Sequence, residues 1–289
     1  MRLRLLPAVV GMVLLLAGCD LHLLVPDGPA PLRYRDEVFS AVTTTSDVVY
    51  GSAVDQSGVT VPLRLDVYRP TGDAVTARPA IVWVHGGGFS QGSKTSPEIV
   101  EQARLFARKG YLNVSITYRL YPGGCFPVSA GCVQAIIDAK HDAQAAVRFL
   151  RANAATYGVD ADRIAIAGTS AGAITALNVA YGPEDVGDSG SPGFPSTVRG
   201  AVSLSGAALV TAPDAGEGKA LLFHGTADPL VPYQWAVDDV NAAKALGLDA
   251  FLTTWEGDGH VPYAAHRAEI NTQTTNFLYW TLDVVNAAH

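Results

Sequence analysis

Gly168-Thr169-Ser170-Ala171-Gly172 restricts the folds open to this chain more than any other segment. It follows Arg163-Ile164-Ala165-Ile166-Ala167, an apolar run of strand length. It precedes Ala173 to Tyr181, which is rich in helix formers. A strand turning sharply into a helix puts the apical serine in strained backbone, which flanking glycines tolerate because they carry no Cβ. The hydroxyl then projects above a sheet, and the N–H groups of Ser170 and Ala171 lie at a helix N-terminus. G-x-S-x-G arises often by chance. Its weight here comes from the strand before it and the helix after it.

The same alternation runs along the chain. Strand character starts near Val38-Phe39 and continues through Asp47 to Tyr50. Val61 to Tyr68 alternates apolar and polar and reads as an antiparallel edge strand. Pro79 to His85 is continuously apolar, as in a strand buried on both faces. Pro97 to Lys109 reads as helix, Tyr111 to Tyr118 as strand, and Val133 to Tyr157 as one long helix. After the serine turn come strands at Val198 to Leu204, Leu221 to His224 and Ala250 to Trp255, with helices at Pro232 to Leu246 and Val261 to about Val285. Strands alternating with helices predict an α/β fold: a mostly parallel twisted sheet covered on both faces.

The first residues read as a targeting segment. Arg2 and Arg4 precede an apolar stretch from Leu5 to Leu16, too short for a comfortable membrane span and suited to a signal peptide. Its ending, Leu16-Ala17-Gly18-Cys19, resembles the lipobox of bacterial lipoproteins. That resemblance implies cleavage before Cys19 and lipidation of its sulfur, and an ordinary secretory signal is the alternative. The expected division is a signal peptide over 1–18, a Pro-rich tether over 19–36 and one domain over 37–289. The domain would lie in the cell envelope, outside the cytoplasm and anchored to a membrane by lipid. Such a compartment is oxidising, so Cys125 and Cys132, in a Gly-rich loop, are expected to be bridged. The net charge of −7 and the lack of any Lys/Arg-rich run argue against nucleic acid as a partner.

In a sheet of this kind, sites lie beyond the carboxyl ends of the strands. Four polar places follow predicted strands. In His85-Gly86-Gly87-Gly88-Phe89, three successive glycines let backbone N–H groups approach a ligand. A phosphate loop would end in Gly-Lys-Ser/Thr, which Phe89-Ser90-Gln91-Gly92 does not, and a plain Gly-rich turn is the other reading. The second place is Ser170, a poor nucleophile until a base removes its proton. Asp228 follows a buried strand, but Asp before Pro is also a turn signal. His260 is the fourth. His22 lies in the tether, His289 is the last residue, His141 and His266 fall in helices, and His85 and His224 end strands. His260 alone occupies a Gly-flanked loop after the last strand.

Ser170, Asp228 and His260 stand in the chain order of α/β-hydrolases. From about residue 60 to 285 the chain resembles carboxylesterases of that fold, similar to the hormone-sensitive-lipase-like and feruloyl-esterase-like groups. The matching pieces include Leu65-Asp66-Val67-Tyr68, His85 to Phe89, Tyr118-Arg119-Leu120, Asp142 with Ala146 to Arg151, and Tyr157 to Asp160. The serine turn, Asp228 and Gly259-His260 complete the set. The sequence departs from the pattern between Tyr121 and Cys132, where the cysteine-bracketed loop stands.

The resemblance implies that Ser170 attacks an ester carbonyl, His260 takes its proton and Asp228 orients the imidazole. Asp258, two residues from His260, is the alternative acid. The backbone N–H groups of Gly87, Gly88 and Ala171 are the candidate oxyanion donors, and His85 is expected to order the glycine loop. The implied substrate is a small ester with a short or medium acyl or aryl group. A peptidase or acylaminopeptidase of the same fold and a non-catalytic binding lipoprotein are the competing readings. No H-E-x-x-H helix or dinucleotide fingerprint occurs in the sequence, so neither cofactor nor metal is expected. The oligomeric state is left open.

Overall fold

Apolar runs such as Ile81–Val84 can be buried on both faces only inside a layered sheet. The computed structural model, which describes residues 21–125, 128–183 and 185–287, contains that sheet. Its strands are β1 (Val42–Val54), β2 (Thr60–Pro70), β3 (Arg78–Val84), β4 (Leu112–Ile116), β5 (Val159–Thr169), β6 (Gly200–Leu204), β7 (Lys219–Gly225) and β8 (Ala250–Trp255). They form one eight-stranded sheet in the order β1-β2-β4-β3-β5-β6-β7-β8. β1 pairs antiparallel with β2 and β2 antiparallel with β4, while all pairings from β4 through β3 to β8 are parallel. The helices are α1 (Pro97–Arg108), α2 (Ala130–Ala152), α3 (Ala154–Tyr157), α4 (Ala171–Ala180), α5 (Tyr233–Ala245) and α6 (Tyr263–Thr281).

Side-chain alternation divides the core in two. Ala80, Val82 and Val84 of β3 face the layer made by α2, α4 and α5, with Ile136, Val147, Leu177 and Val240. Ile81 and Trp83 face the opposite layer, where α1 and α6 supply Ile99, Phe106, Phe277 and Leu278. All seven residues of β3 are buried, as its continuous apolar run requires. None of the described helices is long and apolar enough to cross a membrane.

Several expectations need correction. Val61 to Tyr68 lies within an antiparallel strand, but that strand is not at the edge. β1 covers it, with thirteen residues and two register shifts, so its exposed side chains never show a clean alternation. Strand structure begins at Val42, because the N–H groups of Val38 and Phe39 are taken by the Arg108 carbonyl. The long helix starts earlier, where Ser129 Oγ caps the Cys132 N–H, and breaks at Asn153, whose side-chain amide donates to the Phe149 carbonyl. The last helix is shorter than expected, running from Pro262 as its cap to Thr281, with Asp283 beyond it in a left-handed conformation.

The described part of the expected tether is not a free linker. Asn276 and Trp280 of α6 donate to the carbonyls of Leu23 and Leu24. Arg33 pairs with Asp73 at 2.6 Å, and Tyr34 is fully buried. Cys19 and residues 1–18 lie outside the described residues.

Candidate active site

β5 delivers Ser170 to the rim formed by the carboxyl ends of the parallel strands, and α4 starts at the next residue. Ser170 has φ 53° and ψ −118°, the strained apex expected of a strand-to-helix elbow. Close packing, rather than dihedral freedom, explains the elbow's glycines. A Cβ on Gly168 would meet the Gly172 carbonyl oxygen at 2.2 Å, and one on Gly172 would meet that of Val84 at 2.1 Å. A side chain at Gly168 would push α4 off β5, and one at Gly172 would push it off β3.

β7 carries His224 and leads into the turn that holds Asp228, while the loop after β8 holds His260. Ser170 Oγ lies 2.7 Å from His260 Nε2, and His260 Nδ1 lies 2.7 Å from Asp228 Oδ2. A carboxylate can only accept, so Nδ1 carries the proton and Nε2 presents its lone pair to the serine hydroxyl. The Asp228 side chain is fully buried and that of His260 is 15% exposed. Burial would raise the carboxyl pKa. Hydrogen bonds from His224, His260 and the amides of Val231 and Leu230 outweigh that and hold it well below the usual carboxylate range. The acid therefore stays ionised beside the imidazole. The alternative acid, Asp258, turns away: its carboxylate engages His266, and its carbonyl accepts the Ala227 N–H at 2.9 Å.

His224 is a participant that the sequence reading passed over. Its Nε2 lies 2.9 Å from the Val231 carbonyl oxygen and 3.1 Å from Asp228 Oδ2. A carbonyl cannot donate, so Nε2 carries the proton and shares it between the two oxygens. Asp228 is thus clamped by two imidazoles and two amides. The available signal was a histidine at the end of a buried strand, four residues before the acid.

The glycine loop lies across from the elbow. Gly87 has φ 115°, and its carbonyl accepts the Ser90 and Gln91 N–H groups, which folds the loop into a tight turn. His85 Nδ1 donates to the Gly86 carbonyl at 2.6 Å, and its ring stacks on Tyr118 at 4.3 Å. Burial pushes the His85 pKa down to about 4, so the ring is neutral at ordinary pH and serves as a fixed brace. Gly87, Gly88 and Ser170 border one open cleft, and Gly88, Ser170 and Ala171 border a second, apolar cavity. Cys125 and Cys132 are joined by a disulfide beside that cavity. Among the described residues, no group of three or more His, Cys, Asp or Glu side chains is placed to hold a metal ion.

A buried acid, an imidazole and a hydroxyl in series can move one proton off the serine and return it to a leaving group. The chain matches two family models, BD-FAE over residues 65–189 and the TAP-like protein family over residues 201–281. It is 36% identical over 122 residues to phenmedipham hydrolase of Pseudarthrobacter oxydans, covering 42% of this chain and 23% of that protein. Its identity to carboxylesterase NlhH of Mycobacterium tuberculosis is 37% over 109 residues, covering 38% and 31% of the two chains. The chain thus spans under a third of the length of these curated relatives. Solved structures of Thermogutta terrifontis esterase 2 align over nearly their whole length. The paraoxon-phosphorylated form has a TM-score of 0.68 at 25% identity, covering 86% of this chain and 97% of that one. The butyrate-bound form has a TM-score of 0.69 at 22% identity, covering 89% and 100%.

Proposed function

We propose that this chain, whose fold is that of the α/β-hydrolases, is a carboxylesterase that hydrolyses small carboxylic esters with short or medium acyl chains through an acyl-enzyme on Ser170. The observation that carries the reading is the unbroken series of 2.7 Å contacts from Ser170 Oγ through His260 to Asp228. Ser170 Oγ attacks the ester carbonyl carbon while His260 Nε2 takes its proton. Asp228 holds the ring and stabilises the imidazolium that forms. The oxyanion of the tetrahedral intermediate is received by the N–H groups of Gly87, Gly88 and Ala171, each such donor being worth roughly 3 kcal/mol in the transition state. Collapse expels the alcohol, protonated by His260. Water, deprotonated by the same nitrogen, then releases the acid and restores the serine.

A panel of p-nitrophenyl acetate, butyrate and octanoate, with the p-nitroanilide of butyric acid beside it, tests the reading. All three esters are expected to turn over with chelator present, with kcat/KM above the anilide by about a thousandfold or more. Activity confined to the anilide, or no ester hydrolysis at all, would overturn it.

The envelope location belongs to the same proposal: Cys19 carries lipid and holds the domain at a membrane, outside the cytoplasm. It is supported by the Leu16-Ala17-Gly18-Cys19 pattern and by the disulfide, which suits an oxidising compartment. The first described residues dock at the amino ends of the parallel strands, opposite the rim that carries Ser170. His22 meets Lys219, at the start of β7, with 2.7 Å between the nitrogens. Replacing Cys19 by Ser is expected to move the protein from the membrane to the soluble fraction and abolish incorporation of labelled fatty acid. An unlabelled wild-type protein would contradict the anchor.

A further inference from the structure

Two cavities meet at Ser170, and they differ in kind. One is an open cleft of about 800 Å³ bordered by His260, Gln91 and Glu98. The other is smaller, about 250 Å³, and almost wholly apolar, with Phe89, Ile136 and Ile174 in its walls. His260 borders the open cleft and is not part of the apolar cavity. Gly88 and Ala171, two of the oxyanion donors named above, border the apolar cavity.

This difference assigns the two arms of an ester. The leaving oxygen must receive a proton from His260 Nε2, so the alcohol occupies the cleft that His260 borders. Water for the second step enters the same cleft once the alcohol has gone. The acyl group, which stays bonded to Ser170 Oγ through both steps, takes the other direction.

The Cys125–Cys132 disulfide stands where the two spaces divide. Cys125 borders both, and Cys132, in the first turn of α2, borders the apolar cavity. The bridge holds the two Cα atoms 4.8 Å apart and so pins the loop after Tyr121 to α2. Beyond it, Val128, Val133, Leu209, Leu230 and Trp235 line the mouth of the cavity while remaining 38–70% exposed. Large apolar side chains gathered at one opening are unusual on a protein surface and mark a binding site.

We propose that this cavity is the acyl site, that the Cys125–Cys132 bridge is the partition setting acyl-chain selectivity, and that medium-length saturated acyl chains are the preferred substrates. The proposal rests on the esterase reading above. The cavity's roughly 250 Å³ accommodates an acyl chain of medium length. Chains longer than that continue onto the apolar mouth, so activity levels off with length instead of stopping abruptly.

The test varies each arm in turn: p-nitrophenyl alkanoates from acetyl to dodecanoyl, and acetate esters of alcohols of increasing length. In the wild type, kcat/KM is expected to rise about tenfold or more from acetyl to octanoyl, because each buried methylene adds binding. Ile136→Trp, which fills the cavity, is expected to cut the octanoyl-to-acetyl ratio about tenfold. The order of preference among the acetate esters should move less than twofold. Val133→Trp at the exposed mouth is a second variant, with loss expected chiefly for decanoyl and longer chains. The double variant Cys125→Ser/Cys132→Ser should flatten the acyl profile. A flat wild-type profile, or a loss that falls on the alcohol series instead, overturns the acyl-site assignment while leaving the esterase reading intact. Failure to hydrolyse either series overturns both.

Discussion

Ser170→Ala is expected to lower kcat for ester hydrolysis by about four to six orders of magnitude while leaving the fold intact. The substitution removes one oxygen. The main-chain features at this position do not involve it: the hydroxyl plays no part in the backbone hydrogen bond by which the Ser170 N–H donates to the Leu204 carbonyl at 2.8 Å. The proposed oxyanion donors and both cavities also stay in place, which would account for a residual rate over water. Steady-state kinetics with p-nitrophenyl butyrate and a thermal melt on the same sample check the two halves separately. A melting temperature within a few degrees of wild type, together with near-wild-type kcat, would mean that chemistry occurs elsewhere.

The largest expected effect on stability lies away from the serine. Asp142 on α2 is fully buried, and its two oxygens accept from the Arg119 backbone N–H at 2.8 Å, the Arg119 guanidinium at 2.8 to 3.0 Å and Ser189 Oγ at 2.6 Å. Arg119 extends the network to the Val54 carbonyl at the end of β1. This one carboxylate therefore ties together α2, the segment after β4, the outer hairpin and the loop around Ser189. Asp142→Ala leaves the buried guanidinium with only the more distant Asp138 carboxylate, at 3.4 Å, as counter-charge, which costs about 3 kcal/mol. In a domain of this size the melting temperature would fall by roughly 10 °C. Asp142→Asn, which keeps an acceptor but not the charge, should fall between. Urea denaturation of the three proteins gives the comparison, and a loss under about 1 kcal/mol for Asp142→Ala would contradict the role assigned to the pair.

The parts of this molecule that could be read from sequence share a physical cause. A strand buried on both faces must be apolar throughout, and β3 and β6 are fully buried over their lengths. The elbow needs small residues where backbones approach within a Cβ radius, and Gly168 and Gly172 stand there. Asp228 and His260 were visible because polar residues after such strands have few structural reasons to be there. β1 was harder, because one face is wet and its two register shifts break the period of two. The packing of residues 21–36 depends on acceptors such as the Leu23 and Leu24 carbonyls, which no side-chain pattern announces. His224 was hidden for a similar reason. Its role follows from a carboxylate and a carbonyl meeting one nitrogen, and that convergence exists only after the turn from Gly225 to Val231 has folded.

The most direct test of the account is covalent. A fluorophosphonate loses fluoride to an activated serine and leaves a stable adduct, so intact mass followed by peptide mapping reports which hydroxyl is nucleophilic. The wild-type protein is expected to gain one phosphonyl group, on Ser170, and His260→Ala to react far more slowly. An adduct on another residue, or none in a folded protein that stays unlabelled beside a reactive control esterase, would contradict the claim that His260 and Asp228 activate this serine.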